Sequence, residues 1–210
     1  MDLSNPIGSV IPSAHGAVLA VLARTTDPLS GRKIADLTDG KVGQWRASEI
    51  LRELADAGVV LREHRPPAKL YCLNRDHVAA PGIVALTEMW GVLVQRMRDE
   101  LAAWALPPVA ACLFGSAARG DAHGASDIDL LLVRGDQLGN AEQEWHEQVD
   151  RLAEKVRDWS GNSCEVLELT SDELQAAVTR EDRLVRDLRQ DAISLGGRDV
   201  RGMLRRPAPR

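Results

Sequence analysis

Asp127 and Asp129 carry the sharpest chemical implication in this 210-residue chain. They stand two apart in Ser126-Asp127-Ile128-Asp129-Leu130-Leu131-Leu132-Val133, a run that reads as a strand. Residues i and i+2 of a strand share a face, about 6.6–7 Å apart along the backbone. Both carboxylates therefore aim at one place, while Ile128 and Leu130 point into a core. Two carboxylates side by side repel, and a hard divalent cation is their natural resident. At this spacing they can bracket two such ions lying roughly 3.5–4 Å apart. Upstream, a second hydrophobic strand runs through Leu113-Phe114 into Gly115-Ser116 and a short helical turn. Glycine there lets the backbone approach a ligand, and the start of a helical turn favours an anion. The Ser116 hydroxyl can donate to a phosphate oxygen. Arg119, about one turn later, reaches the same anion. Phosphate cradle and paired cation ligands together make the two halves of a nucleoside triphosphate site.

The elements that must hold these residues follow from pattern. A Gly-rich loop over 120–125 joins the two strands. Residues 140–159 read as a helix with Trp145, Val149, Leu152 and Val156 on one stripe, broken at Trp159-Ser160-Gly161-Asn162. Cys164-Glu165-Val166-Leu167-Glu168-Leu169 reads as a strand, with Glu165 and Glu168 on opposite faces. Thr170-Ser171-Asp172-Glu173 signals a helix that continues to about 189. The tail from Gly196 to the arginine- and proline-rich end reads as frayed.

Composition sets bounds. A 44% apolar content can bury a sizeable core, and a net charge of −5 argues against nucleic-acid binding over the whole surface. No stretch is long and apolar enough for a membrane span, and the start lacks the basic and apolar regions of a signal peptide. Cys72, Cys112 and Cys164 have no paired spacing and read as buried thiols of a reducing cytoplasm. The five histidines show no metal-ligand spacing and read as structural or surface residues.

Residues 1–12 read as a Pro/Gly/Ser leader. Helices are expected from Ser13 (Val18, Leu19, Val21, Leu22), after Ser30 (Ile34, Ala35, Leu37) and over 43–57 (Ile50, Leu51, Leu54). A hairpin follows over 59–73, turning at Arg65-Pro66-Pro67-Ala68. Three helices and a hairpin in this order resemble a winged helix-turn-helix, which implies DNA contact through the third helix. Its exposed positions include Gln44, Trp45, Arg46, Ser48 and Arg52, with Arg65 and Lys69 on the wing. From Lys41 to Arg75 seven basic residues face four acidic ones, a local excess that fits a DNA-facing stripe. Dimerisation or protein docking is the other use of such a module. One long helix is expected over 82–104, either a connector or a homodimer interface.

The run Gly115-Ser116-Ala117-Ala118-Arg119-Gly120, followed by Ser126-Asp127-Ile128-Asp129-Leu130, resembles the DNA polymerase β-like nucleotidyltransferase superfamily, and most closely its minimal nucleotidyltransferases. The resemblance covers about 107–200. It implies an α+β chain: a winged helix-turn-helix over 1–80, a connecting helix over 81–106, and a small mixed-sheet nucleotidyltransferase domain over 107–210 with helices on one side. It implies two Mg²⁺ ions on Asp127 and Asp129, and ATP or another NTP gripped by Gly115, Ser116 and Arg119. A third carboxylate is expected beside the pair, with Glu165 the better match and Glu168 the runner-up. The implied reaction transfers a nucleoside monophosphate, AMP first, to a hydroxyl of a protein or small molecule. Minimal members often act beside a helical partner encoded nearby, as a toxin–antitoxin pair. A winged helix would suit an antitoxin that represses its own operon. The other class is a DNA-binding regulator whose nucleotidyltransferase domain senses nucleotide or binds a partner without catalysis.

Overall fold

The computed structural model describes residues 1–120, 126–135 and 138–205. The expected loop over 121–125 and the tail over 206–210 lie outside them. Contacts divide the chain into two units, one of Asn5–Trp90 and one of Met1–Ser4 with Gly91–Arg210. No helix among the described residues is long and apolar enough to cross a membrane.

The Asn5–Trp90 unit opens with a helix where a leader was expected. Helix α1 (Pro6–Val10) has Pro6 in its first turn, where a missing N–H costs nothing, and Ile7 is fully buried. Helix α2 (Ala14–Ala23) buries Val18, Leu19 and Leu22. A short strand β1 (Leu29–Ser30) leads into α3 (Gly31–Asp36), where the Ser30 hydroxyl accepts from the Lys33 N–H at 3.2 Å. Ile34 and Ala35 are buried there, whereas Leu37, expected on the same face, is exposed. Helix α4 (Gln44–Asp56) buries Ala47, Ile50 and Leu51. Gly58, with φ +74°, turns the chain out of it. Strands β2 (Val60–Arg65) and β3 (Ala68–Leu73) form the hairpin, and β1 adds to β3 for the order β1-β3-β2. The core joins Ile7, Val18, Leu22, Ile34, Ile50, Leu51, Val60, Tyr71 and Leu73.

The single helix expected over 82–104 is two: α5 (Ala80–Thr87) and α6 (Met89–Ala102), parted at Glu88. At the junction the Thr87 hydroxyl donates to the Val84 carbonyl at 2.7 Å, and the Glu88 N–H turns to the Ala85 carbonyl at 3.1 Å.

The other unit is built on a four-stranded sheet, β4 (Ala110–Phe114), β5 (Ile128–Arg134), β6 (Cys164–Thr170) and β7 (Ile193–Gly197), in the order β6-β5-β4-β7. β5 runs antiparallel to β4 and parallel to β6, so the sheet is mixed. Between β4 and β5 sits the short helix α7 (Gly115–Arg119). Helix α8 (Glu142–Ser160) supplies the β5-to-β6 crossover with the expected stripe buried. Thr170 and Glu173 form a reciprocal capping box that starts α9 (Ser171–Arg180).

Three further expectations change here. The helix to residue 189 breaks at Glu181, which adopts a left-handed φ of 55°, and resumes as α10 (Arg183–Asp191). The frayed tail is instead β7 followed by α11 (Val200–Met203), with Val200, Met203 and Leu204 buried. Helices cover both sheet faces. Leu174, Val178, Val185 and Leu188 of α9 and α10 pack with Ala110, Cys112, Leu131 and Val133. On the opposite face Trp145 of α8 reaches Glu168, Trp104 stacks edge-on against Trp145 at 5.6 Å, and Lys155 pairs with Glu100 of α6. Both faces of β4 and β5 are apolar, so each needs cover.

Candidate functional site

Phe114, the last residue of β4, pairs with Asp129, and Asp129 pairs with Glu165 across the parallel β5–β6 ladder. Directly paired residues project from the same face. The register therefore sets Asp129 and Glu165 side by side at the end of the sheet where β4 gives way to α7. Asp127 stands one residue ahead of β5 rather than within it, and it is exposed. Two bonds hold that approach: the Ile128 N–H donates to the Ser163 carbonyl at 2.8 Å, and the Asn162 side chain donates to the Ser126 carbonyl at 3.0 Å. Asn162 is buried, and the sequence marks it only as part of a helix stop.

Gly115 has φ +72°, and a Cβ there would collide with the Asp129 carboxylate. Glycine is thus required twice, by backbone conformation and by close approach. Ser116 and Arg119 follow within α7, which Gly120 closes with φ +77°. A helix of five residues has little macrodipole. What it offers an anion is local: first-turn N–H groups without intrahelical partners, the Ser116 hydroxyl and the Arg119 guanidinium.

The carboxylates are electrostatically uncomfortable together. Burial pushes the Asp129 pKa up, and Asp127 and then Glu165 add to the rise, with Arg119 opposing it. Oxygen-only donors that repel one another fit a hard divalent cation. Among the described residues, no three His, Cys, Asp or Glu side chains are already gathered tightly enough to hold a metal ion. Asp127 and Asp129 share the charge of the site without forming a closed cage.

Glu168 falls out of the site. Its carboxylate accepts a hydrogen bond from the indole Nε1 of buried Trp145, on the far face of the sheet. Cys164 lies close to the acids, and burial with Asp129 and Glu165 pushes its thiol up to about 12. It stays a neutral thiol and has no thiolate to offer a nucleophilic step. All three cysteines are free, with Cys112 buried and Cys72 and Cys164 half-buried, so the expectation of three buried thiols holds for Cys112 alone.

Arg119 Nη1 donates to Oδ2 of Asp191 at 2.7 Å. Asp191 was missed in the sequence, although a signal existed. It ends α10, and a carboxylate at a helix C-terminus is unfavourable unless a cation answers it.

In the Asn5–Trp90 unit, α4 presents Gln44, Trp45, Ser48 and Arg52 outward, with Trp45 76% exposed. Arg46 departs from the expected face: it is half-buried and paired with Glu49. Arg65 pairs with Glu63 at 2.8 Å, and Lys69 is exposed on β3.

Residues 104–191 match the family model described as Polymerase beta, Nucleotidyltransferase. The matched segment runs from Trp104 to Asp191 and spans every residue of the site just described. No curated protein matches the chain, and no solved structure does. The match supports membership of this segment in the DNA polymerase β-like nucleotidyltransferase superfamily, and with it nucleotidyl transfer in general.

Proposed function

We propose that the 107–210 segment transfers a nucleoside monophosphate, with AMP the first candidate, from an NTP to a hydroxyl of a protein or small-molecule acceptor. The observation that carries this is the convergence of Asp127, Asp129 and Glu165 beside a glycine turn where any side chain would strike the Asp129 carboxylate. Ser116 and Arg119 hold the distal phosphates and keep the leaving group aligned, the entropic part of catalysis. Glu165 accepts the proton of the acceptor hydroxyl as its oxygen bonds to the α-phosphorus. The bond from that phosphorus to the bridging oxygen breaks, and pyrophosphate leaves. A divalent cation, Mg²⁺ first, held by Asp127 and Asp129, supplies charge neutralisation to the phosphates and the attacking oxygen. Incubation with labelled ATP, Mg²⁺ and the product of the neighbouring gene tests the reading. Label on a protein or a small molecule supports it. Absence of transfer to every acceptor class, with no binding of ATP, sinks it.

A second reading rests on the Asn5–Trp90 unit. Helices α2, α3 and α4, the three-stranded antiparallel sheet and the exposed face Gln44, Trp45, Ser48 and Arg52 support a winged helix that contacts DNA. Such a module would let the protein repress its own operon as the antitoxin-like member of a pair in the cytoplasm. A nucleotide-sensing regulator would bind ATP and DNA without transferring label, which separates it from the enzyme.

A further inference from the structure

Arg119 is exposed enough to meet a ligand, its side chain 39% accessible, whereas the Asp191 side chain that binds it is only 6% accessible. Asp191 is itself fixed. It ends α10, whose Val185 and Leu188 are fully buried in the core with Ala110, Cys112 and Leu131. The ion pair spans 72 residues of sequence, so packing of α10 beside α7 creates it. Helix α7, which carries Arg119, also packs against β5, which carries Asp129. One guanidinium thus stands between a buried carboxylate and the candidate cation ligands.

We infer that Asp191 is a positioning residue for nucleotide binding: it holds Arg119 through Nη1, so that the guanidinium fork is aimed at the distal phosphates of an NTP seated on the Gly115–Ser116 turn. The inference rests on the nucleotide site proposed above and extends it to a residue outside that site. The physics is that of a rigid fork. A guanidinium has five N–H donors in one plane, and fixing one of them fixes the direction of the rest. A long side chain held this way loses less freedom when its ligand arrives. A carboxylate with little exposure serves better than a fully exposed one, because solvent screens such a pair less.

The test is calorimetric binding of ATP and of AMP, each with Mg²⁺, to the full chain. Asp191→Asn should weaken ATP binding about tenfold and leave AMP within about twofold, because the fork grips phosphates that AMP lacks. Arg119→Ala should lose at least as much ATP affinity. Adding Asp191→Asn to Arg119→Ala should cost nothing further, since Asp191 acts only through Arg119. Arg119→Lys keeps a cation opposite Asp191, so it guards against a folding defect, yet it should show the same loss of preference for ATP. In turnover the change should fall on KM for the NTP more than on kcat. Equal losses for ATP and AMP, a full additive loss in the double variant, or normal ATP binding by Arg119→Lys would each overturn the assignment. Wild-type protein that binds no NTP overturns the site itself, and Asp191 with it. Wild-type binding that Asp191→Asn leaves intact overturns Asp191 alone.

Discussion

Two charged regions of this protein are built on opposite principles. At the end of the mixed sheet, Asp129 of β5 and Glu165 of β6 meet Asp127 just ahead of β5, and Arg119 opposes the repulsion at Asp129. On α4 and the hairpin, two arginines are answered by neighbours a few residues away: Arg46 by Glu49, and Arg65 by Glu63. A group of like charges that folding has forced together stores electrostatic energy that a counterion or ligand can release. A charge already paired beside its own neighbour has little to gain from a partner. The first pattern is that of a site. The second is that of a solvated surface, and the exposed Gln44–Trp45–Ser48–Arg52 face of α4 lies outside those two pairs.

Removing one of the converging acids should have the largest effect. Asp127→Asn or Asp129→Asn keeps the shape but takes a charge from the cation ligands. Transfer should fall by on the order of a thousandfold or more, with folding retained in thermal melts. Near-normal transfer by both variants would mean that the converging charges are not a catalytic site. The two glutamates of β6 sharpen the same contrast. Glu165→Gln should lower transfer by roughly a hundredfold, the range for losing a general base. Glu168→Gln should leave transfer near wild type and instead weaken the Trp145 contact, costing about 1 kcal/mol in denaturant titrations. Equal losses of transfer would put both residues in one site, against their strand faces.

On the other region, Arg52→Ala should weaken binding to the DNA upstream of the gene several-fold and reduce its salt slope by about one. Arg46→Ala should change it by less than twofold, because Glu49 already answers that charge. A larger effect of Arg46 would show that local pairing gives way when DNA arrives. The smallest effect concerns stability. The folded pKa of Asp129 lies above its ordinary value, so between the two values the folded protein binds more protons than the unfolded chain. Stability therefore falls as pH rises through that window and stays lowered above it. Asp129→Asn removes the penalty. Without metal at neutral pH the variant should melt slightly higher than wild type, by a few degrees at most, and the gap should close below the ordinary carboxylate range. Mg²⁺ should then raise the wild-type melting temperature more than that of the variant. A variant that melts lower at neutral pH would contradict repulsion as the dominant force at the site.

Much of the site could be read along the chain because its parts are local. A strand pattern puts Asp129 on a face, a glycine before a helical turn marks the cradle, and the Thr170–Glu173 box marks a helix start. The helices and hairpin of the Asn5–Trp90 unit show the same legibility, since period and turn chemistry act over a few residues. The expected leader failed because Pro6 and Ile7 are set by burial, which a short Pro/Gly-rich stretch does not announce. The expected single helix over 82–104 is parted at Glu88, where the apolar period of the sequence runs on without a mark.

The sequence alone set the chemistry to expect. Paired acids two residues apart, a Gly-Ser turn and an arginine one helical turn on are residue types suited to a polyphosphate and a cation. Tertiary structure decided which residues stand beside them. The parallel register sets Glu165 beside Asp129, while Glu168 accepts a hydrogen bond from Trp145. The packing of α10 beside α7 brought Asp191 to Arg119 across 72 residues. β7 completed the sheet from residues that carried no strand signal of their own. Side-chain spacing is fixed by backbone geometry within a few residues, whereas pairing across tens of residues exists only once strands choose a register and helices a place to pack.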